Sequence, residues 1–301
     1  MDGEEAGEIK MKWPKTSSKK MNFLPWFFLG PSLIGFALFY LLPFMDGFFY
    51  SLVDSPLHGN FVGLRNYSDL LRNPSFLTAL ANTGKFTLVC VPLNMLFSLG
   101  VALLLNKKIQ GSNFFRTLFI TPLVIPVASV VLVWQAFFDI NGVLNSFLHA
   151  LNLQPVDWLK SEWARAAILV VYLWKNTGYS MVLFLAGLQS IPVEYYEAAR
   201  IDGAGRLQEF FRITLIYLTP TAFFVFVIST INSFKVFRET YLMAGEYPHS
   251  SIYMLQHYMN NMFTALDYQK LTSAAFIMAA FIVAAVLLLF IVERKISRLI
   301  N

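Results

Sequence analysis

The sequence predicts an all-α, polytopic membrane protein with six transmembrane helices, and three observations carry that reading. Of 301 residues, 56% are apolar and only 14% charged, against roughly 25% charged in an ordinary soluble domain; the mean hydropathy is +0.56. A packed core cannot absorb this deficit, because a soluble fold still needs a polar surface. Six segments also reach the roughly 20 apolar residues a helix needs to cross the hydrocarbon core. Finally, Lys and Arg are distributed unequally between alternate connections.

Residues 1–20 form a basic tail carrying Lys10, Lys12, Lys15, Lys19 and Lys20, followed by 21–301 as a six-span domain. The first span, about 21–45, is free of charge. It is much longer than the roughly 7–15-residue apolar run of a signal peptide, and no small-x-small cleavage site follows, so it reads as a retained anchor. The second, 87–105, begins just after Lys85, and the third, 117–138, holds Pro122 and Pro126, which should bend it. The fourth, 166–188, contains one charge, Lys175; the fifth, 213–234, and the sixth, 271–292, contain none. In the sixth, Ala275, Ala279, Ala280 and Ala284 have the small-residue spacing of a helix-packing face.

Six spans place both termini on one side. The termini, Lys107, Lys108, Arg116, Arg200, Arg206 and Arg212 then share that side, fourteen Lys and Arg in all. Seven lie on the other, namely Arg65, Arg72, Lys160, Arg165, Lys235, Arg238 and Lys270. The excess predicts cytoplasmic termini in a multi-pass cell-membrane protein. The outside connections, 46–85, 139–165 and 235–270, are longer. In the last of them Ile252, Leu255, Met259 and Met262 have helical spacing. That suits a short helix lying on the other spans or the membrane surface, or a docking surface for an outside partner.

Several function classes are excluded. The net charge of +5 is scattered rather than gathered with aromatics, so no nucleic-acid partner is expected. Cys90 is the single cysteine, so there is no internal disulfide, and no lipidation signal is read at either end. His58, His149, His249 and His257 have no metal-ligand spacing, and no nucleophile–base cluster appears. Neither an enzyme nor a cofactor-binding chain is expected. "NTGKF" (82–86) lacks the upstream Gly and the Ser/Thr of a phosphate-cradling loop.

The connection 190–212 is the most charged part of the domain, yet it lies between two apolar spans. Ser190 and Pro192 are helix-start signals. Tyr195, Ala198 and Ala199 give a small, partly apolar face, and Gly203 and Gly205 break the helix before "RLQEFFRITL" leads into span five. A plain tether needs no such bend. The segment therefore reads as a helix, a Gly hinge and a new helix at the cytoplasmic surface.

"EAARIDGA" after "LQSIP" resembles the EAA loop of the permease subunits of ABC importers. The family pattern is Glu-Ala-Ala, three residues, Gly, nine residues and Ile-x-Leu-Pro. Here Glu197, Ala198, Ala199, Gly203, Ile213 and Leu215 fall in register, and Ile216 stands in place of the proline, with Pro220 four residues later. "FVGLRNYSDLL", "ALANTGKFTL", "INGVLNSFL" and "INSFKVF" are similar to sugar-importer permeases of the maltose and glycerol-phosphate type. The resemblance implies the type I ABC importer permease fold. It also implies a coupling helix that contacts cytoplasmic ATPase subunits through Glu194, Glu197, Ala198, Ala199, Asp202, Gly203 and Gly205. A second homologous permease subunit, an ABC ATPase dimer carrying ATP and Mg, an external sugar-binding protein, membrane lipid and a sugar or oligosaccharide substrate complete the implied system.

Sugar recognition needs hydroxyl-matching polar groups and aromatic faces. "YLWKNTGYS" in span four is the densest such set, with Tyr172, Lys175, Asn176 and Tyr179. Lys175 and Tyr179 are an i,i+4 pair on the face of Tyr172. A lysine at this depth is costly unless it meets a wet cavity or a partner charge, or snorkels to the surface. In the resembling permeases this segment lines the substrate cavity. Ser229, Asn232 and Ser233 in span five and Trp134 and Gln135 in span three suit either cavity contacts or interhelical hydrogen bonds. Lys175 suits an acidic or phosphorylated sugar, or equally a carboxylate of the partner permease. The rival class is an ion-coupled secondary transporter, against which stands the lack of Asp or Glu within any expected span.

Overall fold

The computed structural model describes residues 23–56, 59–107 and 110–300. The expected tail 1–20, the start of span one, His58 and Lys108 lie outside these residues. The chain divides into two units, Met1–Gly47 and Phe48–Asn301. Helix α1 (Phe23–Phe36) runs through a π-helical turn, Ala37–Leu41, into α2 (Leu42–Tyr50), whose last three residues belong to the second unit. The sequence of α1 is apolar all round, as a membrane-crossing helix requires. The π turn ends with the Leu42 N–H donating to the Ala37 carbonyl, immediately before Pro43, which has no N–H to continue the ladder.

In the second unit, α3 (Arg65–Leu70) leads to α4 (Pro74–Leu105). Asn73 caps α4 by accepting the Phe76 N–H at 3.1 Å, and Pro74 takes the first helical position. With 32 residues, α4 is about 48 Å long, more than the hydrocarbon core requires. The expected start at 87 is therefore corrected: Lys85 marks the end of the apolar stretch, not of the helix. The third span is corrected too. It is two helices, α5 (Ser112–Val124) and α6 (Val127–Phe138), because Pro126 forces Ile125 to an extended ψ of 131°. Then come α7 (Val143–Ala150), α8 (Ala164–Gln189), α9 (Val193–Ile201) and α10 (Arg206–Glu209). A second π turn, Phe210–Thr214, opens α11 (Leu215–Phe234), and α12 (Phe237–Ala244), α13 (Leu255–Thr264) and α14 (Tyr268–Ile300) follow. Six stretches among the described residues are long and apolar enough to cross a membrane.

Helix α8 is the most buried of the six and packs against α4, α5 and α11. One layer of the core gathers Cys90, Val91, Ile168, Val171 and Tyr172; a second gathers Ala102, Met181, Phe184 and Leu218. Gly178 sets the α5–α8 distance, because a Cβ there would lie 1.8 Å from the Phe119 carbonyl oxygen. In the middle of the bundle, Asn94 Nδ2 donates to Ser180 Oγ (2.9 Å) and Ser229 Oγ (3.0 Å), while its Oδ1 accepts from Thr177 Oγ1 (3.4 Å). One side chain thus joins α4, α8 and α11.

The connection 235–270 folds onto this bundle. Asn82 Nδ2 donates to the carbonyls of Ser250 (2.7 Å) and Tyr253 (3.0 Å), and Thr83 Oγ1 accepts the Leu255 N–H (2.9 Å). Leu255 and Tyr258 of α13 bury against Leu70, Phe76, Ala79 and Ala274. Within this chain Ala280 and Ala284 of α14 are exposed and Ala275 and Ala279 half-buried, while Ser273 and Ala274 are the buried positions.

His257 is fully buried in this cap. Its Nδ1 accepts the Met254 N–H at 3.3 Å, and its ring meets Phe237 edge-on at 4.9 Å. Burial pushes the imidazole pKa down to about 4 from its ordinary 6.5. The native state thus holds a neutral ring while the unfolded chain takes up a proton between those values, so stability falls as pH drops from 6.5 toward 4 and levels below that. Thermal unfolding in detergent should show a loss of about 2 kcal/mol between pH 8 and pH 5, and His257→Phe should flatten that slope.

Candidate functional site

Two places collect polar side chains that the bundle itself does not use up. The first is a cavity of about 240 Å³ between α5, α8 and the α11–α12 junction. Leu123, Tyr172, Lys175, Asn176, Asn232, Lys235, Val236, Arg238 and Glu239 line it. The 3.6-residue period of α8 carries Tyr172, Lys175 and Asn176 to one side, toward α11. Tyr172 OH donates to the Ser229 carbonyl (2.8 Å), Asn176 Nδ2 to the Tyr172 carbonyl (2.8 Å), and Asn232 Nδ2 to Asn176 Oδ1 (3.3 Å). Lys175 Nζ forms a hydrogen-bonded ion pair with Glu239, the two side chains being 19% and 7% exposed.

The structure therefore brings together Tyr172, Lys175, Asn176 and Asn232 and gives the remaining expected residues other surroundings. Ser229 is held by Asn94, and Ser233 bonds Thr87 (2.8 Å) and the Thr230 carbonyl (2.7 Å). Trp134 stacks on Phe138 (5.3 Å) and meets Trp174 edge-on (5.7 Å). Gln135 Nε2 donates to the Leu242 and Met243 carbonyls and borders a separate cavity beside Asp139, Asp157 and Lys160. Tyr179 is half-buried on α8 and does not line the Lys175 cavity.

Glu239, the counter-charge to Lys175, is not singled out by the sequence, where 235–270 reads as a connection between spans. Its signal was present in Val236, Thr240 and Met243. With Glu239 they form one buried face of a short helix.

The second place is the connection 190–214. Helix α9 closes in a Schellman turn: the Ala204 N–H donates to the Ala199 carbonyl (2.9 Å) and the Gly203 N–H to the Arg200 carbonyl (3.1 Å). Gly203 stands at φ +80°, the left-handed conformation that this turn requires and that a Cβ opposes. Gln208 then caps α10 by accepting the Gly205 N–H (3.0 Å). Two bridges tie α9 to the start of α11. Arg200 Nε donates to Glu209 Oε1 (2.8 Å), and Tyr196 OH meets Thr214 Oγ1 (2.9 Å). The hydrogen bond to Glu209 raises the already high Arg200 pKa further. Glu194, Glu197, Ala198, Asp202, Gly203 and Gly205 are exposed and Ala199 is half-buried. Beside them Val193, Ile201, Leu207 and Phe211 are also exposed, Ile201 at 86%. Arg200–Glu209 and Tyr196–Thr214 were not foreseen from the sequence, because neither pair shares a helix.

Residues 94–299 match the family model described as the binding-protein-dependent transport system inner membrane component, so cavity and connection both fall within the match. Similar proteins include the sulfoquinovosyl glycerol transport system permease protein SmoG of Agrobacterium fabrum, 32% identical over 89% of this chain and 90% of that one. The arabinooligosaccharides transport system permease protein AraP of Bacillus subtilis is 35% identical over 73% and 71%. In fold, the chain superposes with a TM-score of 0.80 on a bacterial ABC transporter involved in the import of the acidic polysaccharide alginate. That match has 23% identity and covers 91% of this chain and 96% of that one.

Removing one member of the Lys175–Glu239 pair leaves the other charge buried alone. Lys175→Met should lower stability by about 3 kcal/mol, and Lys175→Met/Glu239→Met should recover most of it. Thermal unfolding of the detergent-solubilised variants checks this.

Proposed function

The chain belongs to the binding-protein-dependent transport system inner membrane components, the permeases of ABC importers, and on that premise we propose how it works. It pairs with a second homologous permease subunit to form the path by which a sugar or oligosaccharide crosses the cell membrane. Cytoplasmic ABC ATPase subunits, which carry ATP and Mg, drive it through the 190–212 loop. An external sugar-binding protein delivers the substrate. Both termini lie in the cytoplasm. Relatives named for sulfoquinovosyl glycerol and arabinooligosaccharides support the sugar class.

The observation that carries the coupling role is the pair of bridges from α9 to the root of α11. A surface helix joined to its neighbour only by a glycine hinge would swing without moving a span. With Arg200 held by Glu209 and Tyr196 by Thr214, α9 and the start of α11 move as one body. The exposed carboxylates Glu194, Glu197 and Asp202 offer charge to basic groups of an ATPase, and Val193 and Ile201 offer apolar area to a cleft. Small Ala198 and Ala199 permit close approach. A displacement applied at α9 by closure of the ATPases thus tilts α11, and with it one wall of the Lys175 cavity.

Glu197→Ala removes a docking carboxylate, and Gly203→Val imposes a left-handed strain of about 1–2 kcal/mol on the Schellman turn. Both variants should insert normally and lose at least nine-tenths of ATP-dependent uptake in cells that carry the whole importer. Wild-type uptake in both would refute the coupling role. Uptake abolished by a protonophore at constant ATP would instead assign the chain to the ion-coupled transporters.

A further inference from the structure

The Lys175 cavity has a charge imbalance that neither the fold nor neutral-sugar binding explains. Its lining holds three cations, Lys175, Lys235 and Arg238, and one carboxylate, Glu239. Glu239 pairs with Lys175. Among the described residues, neither Lys235 nor Arg238 has a carboxylate within salt-bridge distance. The cavity therefore carries an excess of two positive charges.

A structural role accounts for only part of this. Lys235 caps the C-terminus of α11, where the helix dipole favours a cation. Arg238 lies in the first turn of α12, where the dipole is itself positive, so the fold gains nothing from a cation there. Both side chains are exposed to the cavity mouth, while the hydrogen-bonding groups that suit sugar hydroxyls, Asn176 and Asn232, lie beside the Lys175–Glu239 pair. At about 240 Å³ the cavity is smaller than the roughly 300–1,000 Å³ of drug-sized pockets. It suits one sugar residue and its substituent, not a length of chain.

We propose that this cavity selects an anionic saccharide, one bearing a carboxylate, sulfonate or phosphate. Arg238 takes the acid group through its planar donor fork, Lys235 adds its point charge, and Asn176 and Asn232 bind the hydroxyls of the same residue. The inference rests on the reading of the chain as a sugar permease and narrows it to one charge class.

The test reconstitutes the complete importer in phosphatidylcholine liposomes and measures uptake of saccharides matched in all but charge. The pairs are oligogalacturonides and their methyl esters, sulfated and unsulfated oligosaccharides, and sugar phosphates and their parent sugars. Within the pair that is transported, the acid should be preferred at least tenfold. Its uptake should fall severalfold as salt is raised from 50 to 300 mM, with no such fall for the neutral member. Lys235→Gln/Arg238→Gln should raise the half-saturation concentration for the acid about tenfold or more, and Arg238→Lys should give a smaller rise. Co-purification with the ATPase subunits verifies that the variants assemble; the salt and charge comparisons on the wild type stand whether or not they do.

Equal or better transport of the neutral member overturns the proposal, as does a half-saturation concentration unchanged in the double variant. A concentration that shifts with added phosphatidylglycerol but not with glycan charge assigns the cations to lipid headgroups, and overturns it too. Transport of no saccharide of either kind would defeat the sugar reading itself, and is distinct from these outcomes.

Discussion

Within a bilayer no water competes for a buried amide, so a polar side chain in the core of a bundle must find its partners on neighbouring helices. Asn94 meets this constraint by donating to both Ser180 and Ser229 and accepting from Thr177. The registers of α4, α8 and α11 relative to one another follow from those three contacts. The Lys175 cavity depends on that alignment: Tyr172, Lys175 and Asn176 lie on α8 within three turns of Ser180, and Asn232 lies one turn beyond Ser229. A slip of α11 by one residue would separate Asn232 from Asn176 and turn Ser229 away from both Asn94 and Tyr172.

The same helices connect the cavity with the 190–214 connection. Helix α8 ends at Gln189 and leads into α9, while α11 grows out of the π turn to which α9 is bridged. Two of the cavity walls are thus the direct continuations of the two arms of the loop. Pro220 in α11 and the π turn at Phe210–Thr214 interrupt its regular hydrogen-bond ladder near the end that joins the loop, the kind of position at which long helices bend.

What the sequence disclosed and what it hid divide along physical lines. Apolar runs of about 20 residues with at most one charge can hardly be anything but membrane helices, and six candidate spans were legible. The Gly203 turn was legible as well, since Glu-Ala-Ala followed by a glycine leaves few other ways to end a helix. Hydropathy is blind to contacts between distant segments. It read Lys85 as a boundary, although the Asn73–Pro74 start signal lay upstream. It read Pro126 as a bend, although the peptide before a proline resists the helical conformation strongly enough to break one helix into two. Asn94 could have been found: a lone amide with Ser98 one turn later, in a run otherwise without charge, announces an interhelical partner. Glu239 was harder, because three charges within five residues suggest a solvated loop, and only the apolar face made by Val236 and Met243 argues otherwise.

Glu239 also changes the meaning of Lys175. Alone, a lysine in a span could serve as a substrate ligand, pair with a charge on another subunit, or reach the surface by snorkelling. Paired with a carboxylate buried to 7% exposure, it is fixed in position and its charge is locally balanced. The pair then holds α12 against α8, with Lys175 as a structural strut at one wall of the cavity. The field that remains comes from the turn between α11 and α12. Because that turn is continuous with α11, any movement of the helix imposed at the Glu209 end shifts the positions of Lys235 and Arg238 relative to Asn176. The proposed binding geometry and the proposed coupled motion would thereby be properties of a single helix.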